Sequence, residues 1–240
     1  MAGKEEMFKS IEGIGDYGDF SADTLHNMAF IESSYGTQGM DIDSTYAGPF
    51  QMGRGEFAEF GGSTGSRLDP KEAGKATLKY ASKNIKDTGS WKKWGMNQRL
   101  DELGIEKGLG AYITHQQGRS GTIDMITSLR EGGTLGKKTR ENILGNISRE
   151  EGVNFSELGD KDLVKRFIGQ YKSKWKKAGE HTKGLKSKFQ STDSKVFDMV
   201  AKYDFKPSVR ESISEVTGSY KDYFKGKQGF IPDLWQKKKS

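Results

Sequence analysis

Apolar residues in this chain recur at helical spacing, and glycine punctuates the runs. Leu25, Met28 and Ala29 fall on one side of a 3.6-residue helix, and Glu32 takes the next position on the same stripe. Ser21 is placed to cap the start of this helix and Gly36 to end it, shortly after Ser33 and Ser34. A polar, glycine-rich stretch follows from Thr37 to Tyr46, and irregular chain of this length is often a site-forming loop. Asp69-Pro70 opens the next predicted helix, DPKEAGKATLKYASKNIK, with Ala73, Ala76, Thr77, Tyr80 and Ala81 on one face. Leu109 to Gln117 predicts another, stopped by Gly118. SGTIDMITSLREGG then restarts from Ser120 with Ile123, Ile126 and Leu129 inward. Residues 136–146, GKKTRENILGN, read as a surface connection. Near the C-terminus, Pro207, Ser208 and Glu211 resemble a capping box ahead of an apolar stripe of Val209, Ile213, Val216, Tyr220, Tyr223 and Phe224. That stripe has two available partners, the main domain or another protein. Strand signals are weak and no repeat is visible, so the fold class is mainly α.

Composition narrows this picture. At 240 residues, with 11% aromatics, the chain can bury a real core despite a mean hydropathy of -0.78. It contains no cysteine, which excludes disulfides, thiolate metal sites and a thiol nucleophile. The N-terminal residues lack an apolar run suited to a signal peptide, and no segment approaches the ~20 apolar residues of a transmembrane helix. The net charge of +6 is unevenly placed: residues 1–180 carry 26 basic and 26 acidic side chains, whereas residues 181–240 carry 13 and 7. The lysines there are scattered (Lys183, Lys186, Lys188, Lys195, Lys202, Lys206) and end in Lys237, Lys238 and Lys239, without a nucleic-acid-binding module. Solubility or loose attraction to an anionic surface accounts for them, and specific nucleic-acid recognition is not expected.

An acid closing an apolar stripe has two readings. It is either a capped or paired glutamate at a helix end, or a carboxyl whose partial burial raises its pKa toward neutrality, the condition for a general acid. Glycoside cleavage is the chemistry that uses such a group. The three histidines, His26, His115 and His181, have no metal-ligand spacing.

Several short motifs in order resemble the catalytic domain of lytic transglycosylases in the lysozyme-like superfamily. Glu32-Ser33 matches the family's helix-ending Glu-Ser, and Gly48-Pro49-Phe50-Gln51 resembles its Gly-Leu-Met-Gln. Asp69-Pro70 through Tyr80 corresponds to a third element. Ala111-Tyr112 resembles the Ala-Tyr-Asn motif, but Ile113 stands where the family has asparagine, which leaves that residue's role unassigned. Tyr112, His115, Gln116, Gln117 and Gly118 are similar to the Tyr-x-x-His-Gln-Gln-Gly form of transglycosylase domains in bacteriophage virion proteins. The likeness covers roughly residues 10 to 175, including Phe167 and Trp175 at its end.

The resemblance implies a lysozyme-like helical domain over residues 1–175 and a basic helical extension over 176–240. It implies Glu32 as the catalytic acid and base, with peptidoglycan glycan strands as substrate and no cofactor or metal. Ser33, Gly48, Phe50, Gln51, Tyr112, His115 and Gln116 would bind substrate or support the cleft. Local alternatives stay open: a helix cap for Ser33, a tight turn for Gly48-Pro49 and a core aromatic for Tyr112. A phage origin would place the protein in the virion or in the host cytoplasm before release, acting on the cell wall, with other virion proteins as partners of the extension. The rival readings are a hydrolytic muramidase with Asp41 or Asp43 as second carboxylate, and a weakly active virion protein that binds glycan.

Overall fold

A computed structural model describes residues 4–18, 20–36, 38–61, 66–86 and 95–202. The helices in chain order are α1 (Lys4–Glu12), α2 (Ala22–Ser33), α3 (Arg54–Phe60), α4 (Pro70–Ile85), α5 (Met96–Glu102), α6 (Lys107–Glu131), α7 (Lys137–Asn146) and α8 (Asp160–Lys202). A two-residue hairpin, β1 (Tyr46–Ala47) against β2 (Met52–Gly53), pairs Tyr46 with Gly53 and Ala47 with Met52. The protein is mainly helical, as the periodicity predicts.

Local chemistry explains the helix limits. The Asp69 carboxylate accepts a 2.8 Å hydrogen bond from the Glu72 N–H, and Pro70 fills the first turn, where its missing N–H costs nothing. Ser21 has the extended backbone of an N-cap but makes no side-chain cap bond. Within the chain's first compact unit, α4 lies along α6. α1 and α3 flank α4, α5 and α7 flank α6, and α2 is held between α1 and α6. Leu25, Met28, Phe50, Leu78, Met96 and Phe167 are wholly enclosed, each contributing about 1.5 to 3 kcal/mol by leaving water.

Two expectations change. Residues 137–146 are a helix, not a surface connection: Ile143 is fully buried, and the Thr139 hydroxyl donates to Asp124 at 2.7 Å. Gly118 does break α6, with φ 65° and ψ 171°. Beyond it Thr122, Met125 and Ile126 are buried, while Ile123 and Leu129, expected inward, remain partly exposed. The first compact unit runs to Leu185. Ala178 and Thr182 are buried, and the Thr182 hydroxyl bonds Asn27 at 3.0 Å and Tyr35 at 3.3 Å. The second unit comprises residues 186–240, and the Pro207–Phe224 stripe lies outside the described residues. Among the described residues, no helix is long and apolar enough to cross a membrane.

Candidate active site

Helix α2 ends immediately after Glu32. Ser34 and Tyr35 take left-handed backbone angles (φ 50° and 61°), ahead of Gly36 at 71°, so the turn starts two residues before the expected stop. The Ser34 and Tyr35 N–H groups donate back to Phe30 and Ala29 at 3.0 and 3.1 Å. Left-handed conformations cost non-glycine residues roughly 1 kcal/mol or more each, and the surroundings hold them. The Ser33 hydroxyl lies 3.0 Å from the Ala29 carbonyl and 2.9 Å from the Pro49 carbonyl, and it accepts the Gly36 N–H at 2.8 Å. Ser33 is fully enclosed. It is therefore a clamp between the helix end and the Gly48-Pro49 turn.

The loop after α2 is built by backbone contact. Gly48 has φ 83°, and a Cβ there would sit 1.8 Å from the Arg67 carbonyl oxygen, so only glycine fits. Its N–H donates to Gly39 at 2.9 Å. The Gln51 side-chain amide donates to the Gly39 and Gly48 carbonyls, both at 2.8 Å. Phe50 is wholly buried, and its carbonyl accepts from His115 Nε2 at 3.0 Å. Gly48 and Phe50 are thus buried in the loop's packing, where the expectation has them binding substrate. Gln51 spends its amide protons on the loop.

Arg67 organises the same loop, a role its sequence context does not announce. It is 5% exposed, and its guanidinium donates to the carbonyls of Ile42, Ser44, Thr45 and Met52. A planar fork with several donors suits this use. Nothing in the sequence around an arginine before Leu-Asp-Pro separates it from a surface charge.

Glu32 itself meets the first half of α6. Gln116 Nε2 donates to its Oε1, and the Tyr112 hydroxyl also hydrogen-bonds the carboxyl. Tyr112 and Gln116 are four residues apart, one turn of the same helix face. Tyr112 is 2% exposed and stacks on Tyr171 and Trp175 of α8, with ring centroids 5.3 and 5.8 Å away. The Tyr171 hydroxyl bonds that of Tyr112. Each hydroxyl has one proton, so a chain from Tyr171 to Tyr112 to the Glu32 carboxylate uses each donor once. Trp175 is fixed in turn by donating its indole N–H to Glu106.

Burial pushes the Glu32 carboxyl up to about 7, from an ordinary value of 4.5. The bonds from Tyr112 and Gln116 and the charge of Lys174 act in the opposite direction without cancelling it. The same burial and the neighbouring Glu32 charge raise Tyr112 and Tyr171, so both phenols stay protonated. His115 is lowered by burial and stays neutral. Donating from Nε2 leaves its Nδ1 an unprotonated acceptor without a hydrogen-bond partner, and the ring lies edge-on to Tyr80 with centroids 5.8 Å apart. His115 therefore holds the Phe50 carbonyl, while Gln116 and Tyr112 reach the acid.

Tyr171 and Lys174 are likewise linked to Glu32, and the sequence pattern does not single them out. They share a face of α8 with Phe167, Trp175 and Ala178, a spacing that reads as core with a lysine at its margin. Asp41 and Asp43 are exposed, and the Asp41 carboxylate closes its own turn, accepting from the Asp43 N–H at 3.0 Å and the Ser44 hydroxyl at 3.2 Å. Among the described residues, no three acidic or histidine side chains gather as a metal site. Comparison with protein-family models, curated proteins and solved structures finds no match to this chain.

Proposed function

We propose that this chain is a lytic transglycosylase of bacterial peptidoglycan, cleaving the β-1,4 bond between N-acetylmuramic acid and N-acetylglucosamine. The observation that carries the reading is the Glu32 carboxyl, held by Tyr112 and Gln116 and kept protonated up to about pH 7 by burial. The ordered motifs from Glu32-Ser33 to His115-Gln116-Gln117-Gly118 supply the substrate class. In the first step Glu32 gives its proton to the glycosidic oxygen as the bond to the muramoyl C1 breaks. The resulting carboxylate then takes the proton of the muramoyl 6-hydroxyl, whose oxygen closes on C1 to form a 1,6-anhydro ring. Glu32 is protonated again, and no water is consumed.

Each neighbour has a physical task in this cycle. Tyr112 and Gln116 donate to the carboxylate during its anionic interval and fix its direction, while Lys174 adds a favourable charge. One carboxyl suffices for this route, whereas hydrolysis requires a second to direct water or act as nucleophile. Asp41, a candidate for that second role, is occupied by its own turn. The similarity to phage virion domains extends the proposal to a bacteriophage protein used for wall penetration or lysis. A purified Glu32→Gln variant, assayed by turbidity loss on cell walls, is expected to lose ~10² to 10⁴-fold activity while remaining folded. Activity within a few-fold of wild type would remove Glu32 from the chemistry.

A further inference from the structure

Lys174 is a half-buried ammonium seated 5.0 Å from the centroid of the Tyr171 ring. Tyr171 stacks on Tyr112, and Tyr112 bonds Glu32, so the cation is tied to the reacting carboxyl through two aromatic rings. The opposite charge that acts on Lys174 is Glu32 itself. When Glu32 is protonated, the site holds a positive charge that the acid no longer offsets. A partly desolvated cation in that condition favours an anionic ligand group.

We infer that Lys174 is a ligand-binding residue that reads a carboxylate carried by the glycan strand. The inference rests on the proposed glycan-cleaving function. Muramoyl units carry a lactyl ether whose carboxylate is free when the stem peptide is absent, and stem peptides carry carboxylates of their own. N-acetylglucosamine polymers carry none. Lys174 would therefore distinguish muramoyl glycan from neutral glycan of the same backbone. The groups that act on Glu32 are Tyr112 and Gln116 of α6 and Lys174 of α8, with Tyr171 of α8 behind Tyr112.

The test measures binding on full-length Glu32→Gln, which separates recognition from turnover. Three ligands of equal length are titrated by calorimetry: peptide-free muramoyl glycan, stem-peptide-bearing glycan and N-acetylglucosamine oligomer. The Glu32→Gln protein should prefer at least one carboxylated ligand over the neutral one, and the ligand preferred identifies the lactyl or the peptide carboxylate. Adding Lys174→Met should reduce that preference about tenfold, the scale of one charged hydrogen bond, and Lys174→Arg should restore most of it. Equal loss on all three ligands, or no preference in the Glu32→Gln protein, would overturn the inference. If wild type cleaves no glycan yet the Lys174-dependent preference is present, the functional proposal falls and this one stands. If wild type cleaves glycan and the preference is indifferent to Lys174, the functional proposal stands and this one falls.

Discussion

At the residue scale, Glu32 is expensive to keep. Its neighbours favour the ionised form and burial opposes it, and burial wins. Because the folded pKa lies above the unfolded one, the native state binds the extra proton between pH 4.5 and about 7. Stability from this group is therefore complete below pH 4.5 and is lost as pH rises to about 7. The shift corresponds to roughly 2 to 3 kcal/mol after allowing for the side chain's partial exposure. Glu32→Gln removes the titration. The difference in unfolding free energy between variant and wild type should therefore move in the variant's favour by that amount from pH 4.5 to 7.5. Chemical denaturation across this range measures it, and a difference constant with pH would mean that Glu32 is not buried as a charge. The acid's place on its helix stripe is legible from local spacing. The clamp made by Ser33 is not, because its partner Pro49 is sixteen residues away and joined only by the fold. Arg67 stays hidden for a related reason: its partners are carbonyls, which every residue has.

At the element scale, signals confined to one helix are legible in the sequence and phase relations between helices are not. The Asp69 cap, Pro70 and the Gly118 break act within a few residues. Helix α7 leaves little trace because it opens after Gly136 without a side-chain cap bond, and only Thr139 and Ile143 are buried along its length. Gly118 sets how α6 presents Tyr112 and Gln116 to Glu32. A Cβ at Gly118 would meet nothing within 4 Å, so substitution there acts through the backbone alone. Gly118→Ala should cost about 1 to 3 kcal/mol, the penalty for φ 65° and ψ 171° in a residue with a side chain. It should lower activity more than that loss implies, by displacing the Gln116 amide. A thermal melt paired with a turnover assay checks both, and an unchanged melting temperature would show that the break is not needed.

At the scale of the molecule, charge and chemistry are divided along the chain. The motifs and the Glu32 neighbours lie within residues 1–185, while the basic excess lies in residues 181–240. A chain ending after Leu185 should stay folded and keep its activity on soluble glycan fragments, losing only salt-sensitive attraction to anionic surfaces. Ending it at Trp175 should instead destabilise the unit by about 2 to 4 kcal/mol. That cut removes Ala178 and leaves Asn27 and the Tyr35 hydroxyl without Thr182. Circular dichroism melts of the two truncations distinguish these outcomes, and equal stability would put the boundary back at 175. The whole protein acting on its substrate gives the sharpest test of the single-acid mechanism: mass spectrometry of peptidoglycan fragments released by the full-length chain. That mechanism predicts muramoyl ends lighter by one water than hydrolytic ends, the signature of a 1,6-anhydro ring. Fragments bearing only reducing muramoyl ends would contradict it and turn attention to a second carboxylate.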